Sequence, residues 1–221
     1  MNPFRIIVVL FSLMALTHAE SLPRVLILGD SVYRTPYAAI VKELAGKAEI
    51  VRPELKSEEL HNSASLLKQL PELLGTGKWD LILWSTGIGD QIHRAPGMKS
   101  FRVMPIDKGG VRNTSDEDFA KNLEQIIAQL KKSSARLVWL STTPIKQGQV
   151  FQSGIELRTN AIAAKIMDAH LIEILDMHTH ITQVTAADKN RRAPQWETFG
   201  SNKIPIHEPM VKVIKKQLSL P

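Results

Sequence analysis

The 221-residue sequence contains no cysteine, which excludes disulfide bonds, catalytic thiols and cysteine-ligated metal sites. Aromatic residues are sparse, at 5% of the chain. After residue 20 no apolar run approaches the roughly 20 residues that a transmembrane helix needs. Any catalytic chemistry therefore has to come from Ser, His, Asp, Glu or Lys side chains.

The first 19 residues have the composition of a secretory signal. Arg5 provides a positive charge, residues 6–16 form a short apolar stretch, and Thr17-His18-Ala19 places small residues before Glu20. This order is typical of a cleavable signal peptide. We expect export to the periplasm or the medium, one mature domain over residues 20–221, and no integral membrane segment after cleavage. An uncleaved anchor is the alternative, and the oligomeric state stays open.

The net charge is modestly basic, at +6 at pH 7. An excess of this size is typical of a well-solvated surface, although it also favours acidic partners such as anionic polysaccharide. The sequence contains no nucleic-acid-binding motif, and we expect no nucleic acid partner.

Short apolar runs alternate along the chain with amphipathic stretches of helical period. Strands are predicted over residues 25–28, 49–52, 81–85, 137–141 and 172–175. Helices are predicted over residues 36–45, 63–74, 116–132, 155–170 and 209–218. This alternation predicts an α/β fold, a three-layer α/β/α sandwich around a parallel, flavodoxin-like sheet of about five strands.

A serine and a distant histidine stand where acyl-transfer chemistry is expected. The first predicted strand stops at Gly29-Asp30-Ser31, and open α/β sheets gather their ligand chemistry at the carboxyl ends of strands. His207 lies on a predicted loop just before the last helix. Ser31 is therefore the candidate nucleophile and His207 the candidate base.

Two long connections, residues 91–114 and 188–205, are predicted to lie at the same edge of the sheet. Both are rich in Lys and Arg, and the second contains Trp196. A solvated, charged loop is the simpler interpretation. The alternative is recognition of an anionic or glycan substrate, with Trp196 as a stacking surface.

The motifs that follow the strands resemble those of the GDSL-type esterases, the SGNH hydrolase family. They are Gly29-Asp30-Ser31, Gly87-Ile88-Gly89-Asp90, Thr142-Thr143-Pro144 and His207. The resemblance implies that Ser31 attacks an ester carbonyl while His207 accepts the serine proton. It implies a small ester or an acylated carbohydrate, such as one that bears acetyl groups, as substrate. The residues themselves give no support for a bound cofactor or metal, and we expect neither. It also implies that the backbone N–H of Ser31 is one donor to the oxyanion.

The chain departs from the family pattern at three positions. Gly89 stands where the family has an asparagine that donates to the oxyanion, and the family's second-block glycine has no counterpart, so that Asn62 is the nearest candidate donor by position. Ile204 replaces the aspartate expected three residues before His207. We expect a Ser-His dyad with an incomplete oxyanion hole. The alternative is a catalytically inactive domain of this type that binds a glycan or another envelope ligand.

Other polar residues at strand ends receive structural interpretations. Asp30 is expected to brace the nucleophile turn, Asp90 to support the loop after the third strand, and Asp176 to cap a helix. His178 and His180 are interpreted as polar surface residues and not as a metal site. A flavodoxin-like binder of a small ligand is a third reading of the fold.

Overall fold

The computed structural model describes residues 21–54, 62–97, 102–145, 150–152, 154–187 and 206–221. Its main sheet has five parallel strands. They are β1 (Arg24–Leu28), β2 (Glu49–Val51), β3 (Leu81–Trp84), β6 (Arg136–Leu140) and β7 (Glu173–Leu175). Their order is β2-β1-β3-β6-β7. This is the 2-1-3-4-5 order of a flavodoxin-like sheet, in which ligands bind where the winding reverses, between β1 and β3.

A small antiparallel pair lies outside that sheet. It is formed by β4 (His93–Arg94) and β5 (Val111–Arg112), with His93 opposite Arg112. Both strands belong to the long connection that follows β3. The sequence predicts only a charged loop there, because strands of two residues leave no periodicity to read.

Seven α-helices lie in the described ranges. They are α1 (Arg34–Glu43), α2 (Ser63–Leu74), α3 (Ile88–Gln91), α4 (Asp116–Leu130), α5 (Ile155–Ala169), α6 (Met177–Ala187) and α7 (His207–Leu218). Three of them, α2, α4 and α6, begin at a side chain that accepts from the first backbone N–H groups. Ser115 caps α4 by accepting from Asp118 N, and three acidic residues in the first turn of α4 favour its positive N-terminal dipole. Asp176 caps α6, since its Oδ1 accepts from Thr179 N at 2.9 Å.

Successive residues of the strands pack alternately into two apolar clusters, one on each face of the sheet. Helices α1, α6 and α7 cover the cluster that contains Val25, Ile27, Leu81 and Leu83. Helices α2, α4 and α5 cover the cluster that contains Leu26, Leu28, Ile82 and Trp84. Each fully buried aliphatic side chain stabilises the fold by about 1.5–3 kcal/mol. The predicted three-layer α/β/α sandwich is therefore confirmed.

The predicted elements agree with the structure except near the site. All five sheet strands lie within one or two residues of their predicted bounds. Helix α6 is absent from the predicted helices, although its cap at Asp176 is correct. The prediction that His207 lies on a loop is wrong, because α7 begins at that residue. The proposed signal peptide and the connection 188–205, with Trp196, lie outside the described residues.

No helix within the described ranges is long and apolar enough to cross a membrane.

Candidate active site

The Gly29-Asp30-Ser31 turn is held tightly against the end of β3. Gly29 has φ +109, and a Cβ atom there would lie 1.9 Å from the backbone oxygen of Ser85, so only glycine fits. Asp30 N donates to Ser85 Oγ at 3.2 Å. Ser31 then opens a 3-10 turn, Ser31–Tyr33, that leads into α1. The candidate nucleophile thus sits at the carboxyl edge, between β1 and β3.

Two contacts between neighbouring residues bring three of the predicted site residues to this edge. The carboxyl group of Asp30, which precedes Ser31, accepts a hydrogen bond from the backbone N–H of Ile88, which precedes Gly89. The backbone N–H of Ser63, which follows Asn62, donates to Asp90 Oδ2 at 2.9 Å. Each of these bonds involves a residue that is next in sequence to a predicted site residue. The start of α3 therefore lies close to Ser31, Asn62 and Gly89.

Asp90 is a buried acceptor that ties the loops of this edge together. Its carboxylate accepts from Ser63 Oγ at 2.5 Å and from Thr86 Oγ1 at 3.0 Å, and its backbone oxygen accepts from Thr114 N at 3.0 Å. Burial raises the pKa of Asp90, and the hydrogen bonds from these partners oppose that rise. The expected supporting role of Asp90 is confirmed by these contacts.

Unlike Asp90, Asp30 has a carboxyl oxygen that no described donor reaches. The residue is 2% exposed, and no described group bonds its Oδ2 atom. Burial, reinforced by the nearby charge of Asp90, raises the pKa of Asp30 to about 8, although the bond from Ile88 opposes the shift. At neutral pH the side chain is thus a neutral carboxylic acid directly before the candidate nucleophile.

Asn62 is engaged as the N-cap of α2. Its Oδ1 accepts from Ser65 N at 2.8 Å, and its own backbone N–H donates to Ser65 Oγ at 3.0 Å. This reciprocal arrangement is a capping box. The backbone N–H considered as an oxyanion donor is therefore used within α2, which leaves the side-chain NH₂ as the donor that the hypothesis requires.

Gly89 lies in α3, and a side-chain amide from elsewhere in the chain reaches it. Asn113, directly after β5, donates from Nδ2 to the backbone oxygen of Gly89 at 3.0 Å. The backbone N–H of Asn113 also donates to the oxygen of Ile92 at 2.9 Å. The Asn113 amide thus lies beside Gly89, the position at which the family pattern described above has an asparagine.

His207 lies beside α1. Its Nε2 is 3.9 Å from Glu43 Oε2, and both side chains are partly exposed. Glu43 is the last residue of the ten-residue α1, which is about 15 Å long at 1.5 Å per residue. Ser31 precedes the other end of that helix. The described contact of His207 is therefore with a carboxylate at the end of α1 that lies away from the nucleophile turn.

The two histidines after β7 occupy different environments. His178 Nε2 lies 3.9 Å from Glu156, whereas His180 Nε2 is buried without a partner in the described part of the chain. The interpretation of His180 as a polar surface residue is therefore wrong for its ring nitrogen. The described residues contain no group of three or more His, Asp or Glu side chains arranged to hold a metal ion.

Arginine side chains lie in and beside the hairpin of β4 and β5, which follows α3 in the chain. Arg112 Nη2 pairs with Asp116 Oδ1 at 2.7 Å, and Arg158 pairs with the other oxygen of the same carboxylate. Arg94 Nε is buried with no described partner. The Asp116 carboxylate thus pairs with two guanidinium groups. The hairpin therefore carries a net positive charge next to the candidate site.

Solved structures share the fold at low sequence identity. An acetyl xylan esterase matches with a TM-score of 0.65 at 14% identity, over 86% of this chain and 99% of that one. An acetylxylan esterase from Geobacillus stearothermophilus matches at 0.60 and 12% identity, over 90% and 95% of the two chains. A lipase/acylhydrolase from Enterococcus faecalis matches at 0.60 and 15% identity, over 89% and 97%. The predicted likeness to esterases of this fold is thus confirmed.

Neither a protein-family model nor a curated protein sequence matches the chain. Identities of this size establish the shared fold, and the chemistry has to be argued from the residues themselves.

Two features of the site have no counterpart in the sequence analysis. One is the approach of Asn113 to Gly89, for which the signal in the sequence is the polar run Asn113-Thr114-Ser115 directly before a helix. The contact between His207 and Glu43 joins residues far apart in sequence, and no local pattern predicts such a pair.

Proposed function

We propose that this chain is an esterase in which Ser31 is the nucleophile and His207 the base. The observation that carries the proposal is the turn at Ser31, held between β1, β3 and α3 by the bonds that Asp30 makes to Ser85 and Ile88. A serine in a turn at the carboxyl edge of such a sheet supports a role as nucleophile. The esterase names of the structural neighbours support the same class.

The reaction proceeds by acyl transfer. The Ser31 oxygen forms a bond to the ester carbonyl carbon while the imidazole of His207 accepts the serine proton, and the carbonyl oxygen becomes an oxyanion. Collapse of this intermediate breaks the bond to the alcohol, which takes the proton from His207. Water then attacks the acyl-serine by the same route, releasing the acid and restoring Ser31.

The base has to approach the nucleophile from its position beside Glu43. Proton transfer requires about 2.6–3.2 Å between the serine oxygen and the imidazole. The pair with Glu43 is long and partly exposed, and such ion pairs contribute only about 0–1 kcal/mol. Ile206, which precedes His207, belongs to the same apolar cluster as Val32 and Tyr33, which follow Ser31. The pair with Glu43 therefore contributes little to fixing the imidazole where it lies.

The proposed substrate is a small acyl ester, with acetyl groups on a carbohydrate as the leading class. The names of two neighbours, both acetylxylan esterases, support this choice. Export through the signal-like residues 1–19 would bring the protein to such polymers. Mass spectrometry of the protein recovered from outside the cytoplasm tests the cleavage site after Ala19.

The catalytic proposal is tested with the purified mature chain. We expect a fluorophosphonate probe to label the protein, and 4-nitrophenyl acetate to be hydrolysed, with both activities lost in Ser31→Ala. His207→Ala is expected to lower turnover without removing the site of labelling. Asn160→Ala, which removes an amide that bonds the backbone of Thr142, is a matched control outside the proposed chemistry. Equal turnover by the parent chain and Ser31→Ala would contradict the proposal.

The second candidate function is a glycan-binding domain without turnover. Two observations favour it: the contact of His207 with Glu43, and the basic hairpin of β4 and β5. Binding of an acidic polysaccharide that weakens with salt, from a folded chain that neither labels nor hydrolyses esters, would establish this function.

A further inference from the structure

We propose that the hairpin of β4 and β5, with the segment that joins its strands, docks the protein on the surface of an anionic lipid membrane. This inference goes beyond the proposed esterase function and does not depend on it. Three aliphatic side chains of the segment are exposed to solvent: Val103 by 43%, Ile106 by 42% and Val111 by 43%. Exposed apolar side chains that are grouped together mark an interaction surface, whereas single ones do not.

The strand pairing places the two valines on one face of the hairpin. Arg94 of β4 pairs with Val111 of β5 on one side and forms an antiparallel bridge with Val103 on the other. Side chains that lie directly opposite each other in such pairs point to the same face. The two valines therefore flank Arg94 on that face.

The opposite face of the hairpin packs against the protein. His93, the residue before Arg94, is 8% exposed, and its Nδ1 lies 3.0 Å from the backbone oxygen of Val150. Successive residues of a strand point to opposite faces, so the face that carries the two valines is directed toward solvent. Such solvent-facing positions of an antiparallel pair are ordinarily polar. Valines at these positions indicate that the face meets an apolar phase as well as water.

Cationic side chains accompany the exposed aliphatic ones. Arg102 and Lys108 are exposed within the same segment, and Arg94 lies between the valines. No carboxylate in the described part of the chain lies within ion-pair distance of these three side chains. Residues 102–112 contain a single acid, Asp107. Cations beside aliphatic side chains complement a bilayer surface, in which anionic headgroups lie above apolar chains.

The composition of the segment favours a lipid surface over a polysaccharide or a protein. Residues 102–112 contain no aromatic side chain that could stack on a sugar ring. A stable protein interface buries about 800 Å² on each partner, which is more than three aliphatic side chains provide. Reversible binding to a bilayer needs only a few apolar side chains below the headgroups, with cations at the level of the headgroups.

The test measures binding of the mature chain to vesicles by co-sedimentation. We expect binding to vesicles of equal parts phosphatidylglycerol and phosphatidylcholine, and at least about tenfold weaker binding to phosphatidylcholine alone. Val103→Thr combined with Val111→Thr keeps the β-branched shape and is expected to weaken binding at least about fivefold. Arg102→Gln combined with Lys108→Gln is expected to weaken it at least about tenfold.

Matched controls make the same kinds of change elsewhere on the surface. Val41→Thr alters an exposed valine of α1, and Lys132→Gln alters an exposed lysine after α4. Both are expected to keep the affinity for anionic vesicles within about twofold of the parent chain. Ser31→Ala is expected to bind as the parent chain does, so a failed esterase test leaves this inference standing.

Insertion into the bilayer has a direct readout because the chain has no cysteine. A nitrobenzoxadiazole dye attached to Val111→Cys is expected to shift its emission to the blue on anionic vesicles, whereas the same dye on Val41→Cys is not. Absence of binding to anionic vesicles overturns the inference. Binding that the double threonine variant retains, without a shift of the dye at position 111, also overturns it, because charge alone then holds the protein. Binding to polygalacturonate and not to vesicles would assign the segment to a polysaccharide and overturn it as well.

Discussion

Replacing Asp30 by asparagine is expected to stabilise the folded protein at neutral pH. Asp30 is buried, its Oδ2 has no described partner, and its pKa is raised to about 8 by burial and by the charge of Asp90. Asparagine has the shape of the neutral acid and keeps an oxygen that accepts from Ile88. It therefore preserves the folded contacts and removes the need to hold a proton.

The size of the effect follows from proton linkage. Between the ordinary pKa of 3.8 and the folded value of about 8, the folded state retains a proton that the unfolded chain releases, so the free energy of unfolding falls as the pH rises. Each pH unit contributes about 1.4 kcal/mol. At pH 7 the accumulated loss is on the order of 4 kcal/mol, and Asp30→Asn removes it.

The assay is denaturant unfolding followed by tryptophan fluorescence at about pH 4, 5.5, 7 and 8.5. The stability gain of Asp30→Asn is expected to be absent near the lowest pH, to grow toward pH 8 and then to level. Asp90→Asn is the matched control: the bonds to Asp90 from Ser63 and Thr86 need a carboxylate acceptor, so this variant is expected to be less stable. A gain for Asp30→Asn that is the same at every pH, or no gain at all, would refute the reasoning.

Three further predictions concern single residues of the same region. Gly29→Ala is expected to cost more than about 3 kcal/mol of stability or to prevent folding, because its Cβ would collide with Ser85 O and its φ is +109; soluble yield and thermal unfolding measure this. Asn62→Ala is expected to lower the free energy of unfolding by about 0.5–2 kcal/mol through loss of the α2 cap, measured in urea. Glu43→Gln is expected to leave ester turnover within about threefold, since its contact with His207 is long and partly exposed; a large loss would instead make Glu43 a positioning residue for the imidazole.

The fold was predictable because its strands are short, apolar and bounded by polar turns. The run that became β3 is buried along its whole length, and a continuous apolar strand between helical patterns indicates a covered parallel sheet. The predicted start of α2 at Ser63 is confirmed, since Asn62 provides a recognisable cap. Periodicity and capping are local properties, and local properties can be read from one sequence.

The site was only partly predictable because its contacts are not local. The sequence placed Ser31, Asn62 and Gly89 after successive elements, and the structure brings them to one edge through the bonds of their neighbours. It did not reveal the approach of Asn113 to Gly89, which depends on how a 24-residue connection folds back through two very short strands. Nor did it reveal Glu43 beside His207. The catalytic roles of these residues stay predictions.

The hairpin of β4 and β5 is a two-stranded sheet separate from the five-stranded one. Within the described residues its two strands pair with each other and not with the five-stranded sheet, and its backbone bonds reach Val150, Ile92 and Asp90. The exposed side chain of Val111 in β5 can therefore be exchanged without repacking either apolar layer. A designer who wants to alter this surface can vary such exposed positions while the scaffold beneath remains unchanged.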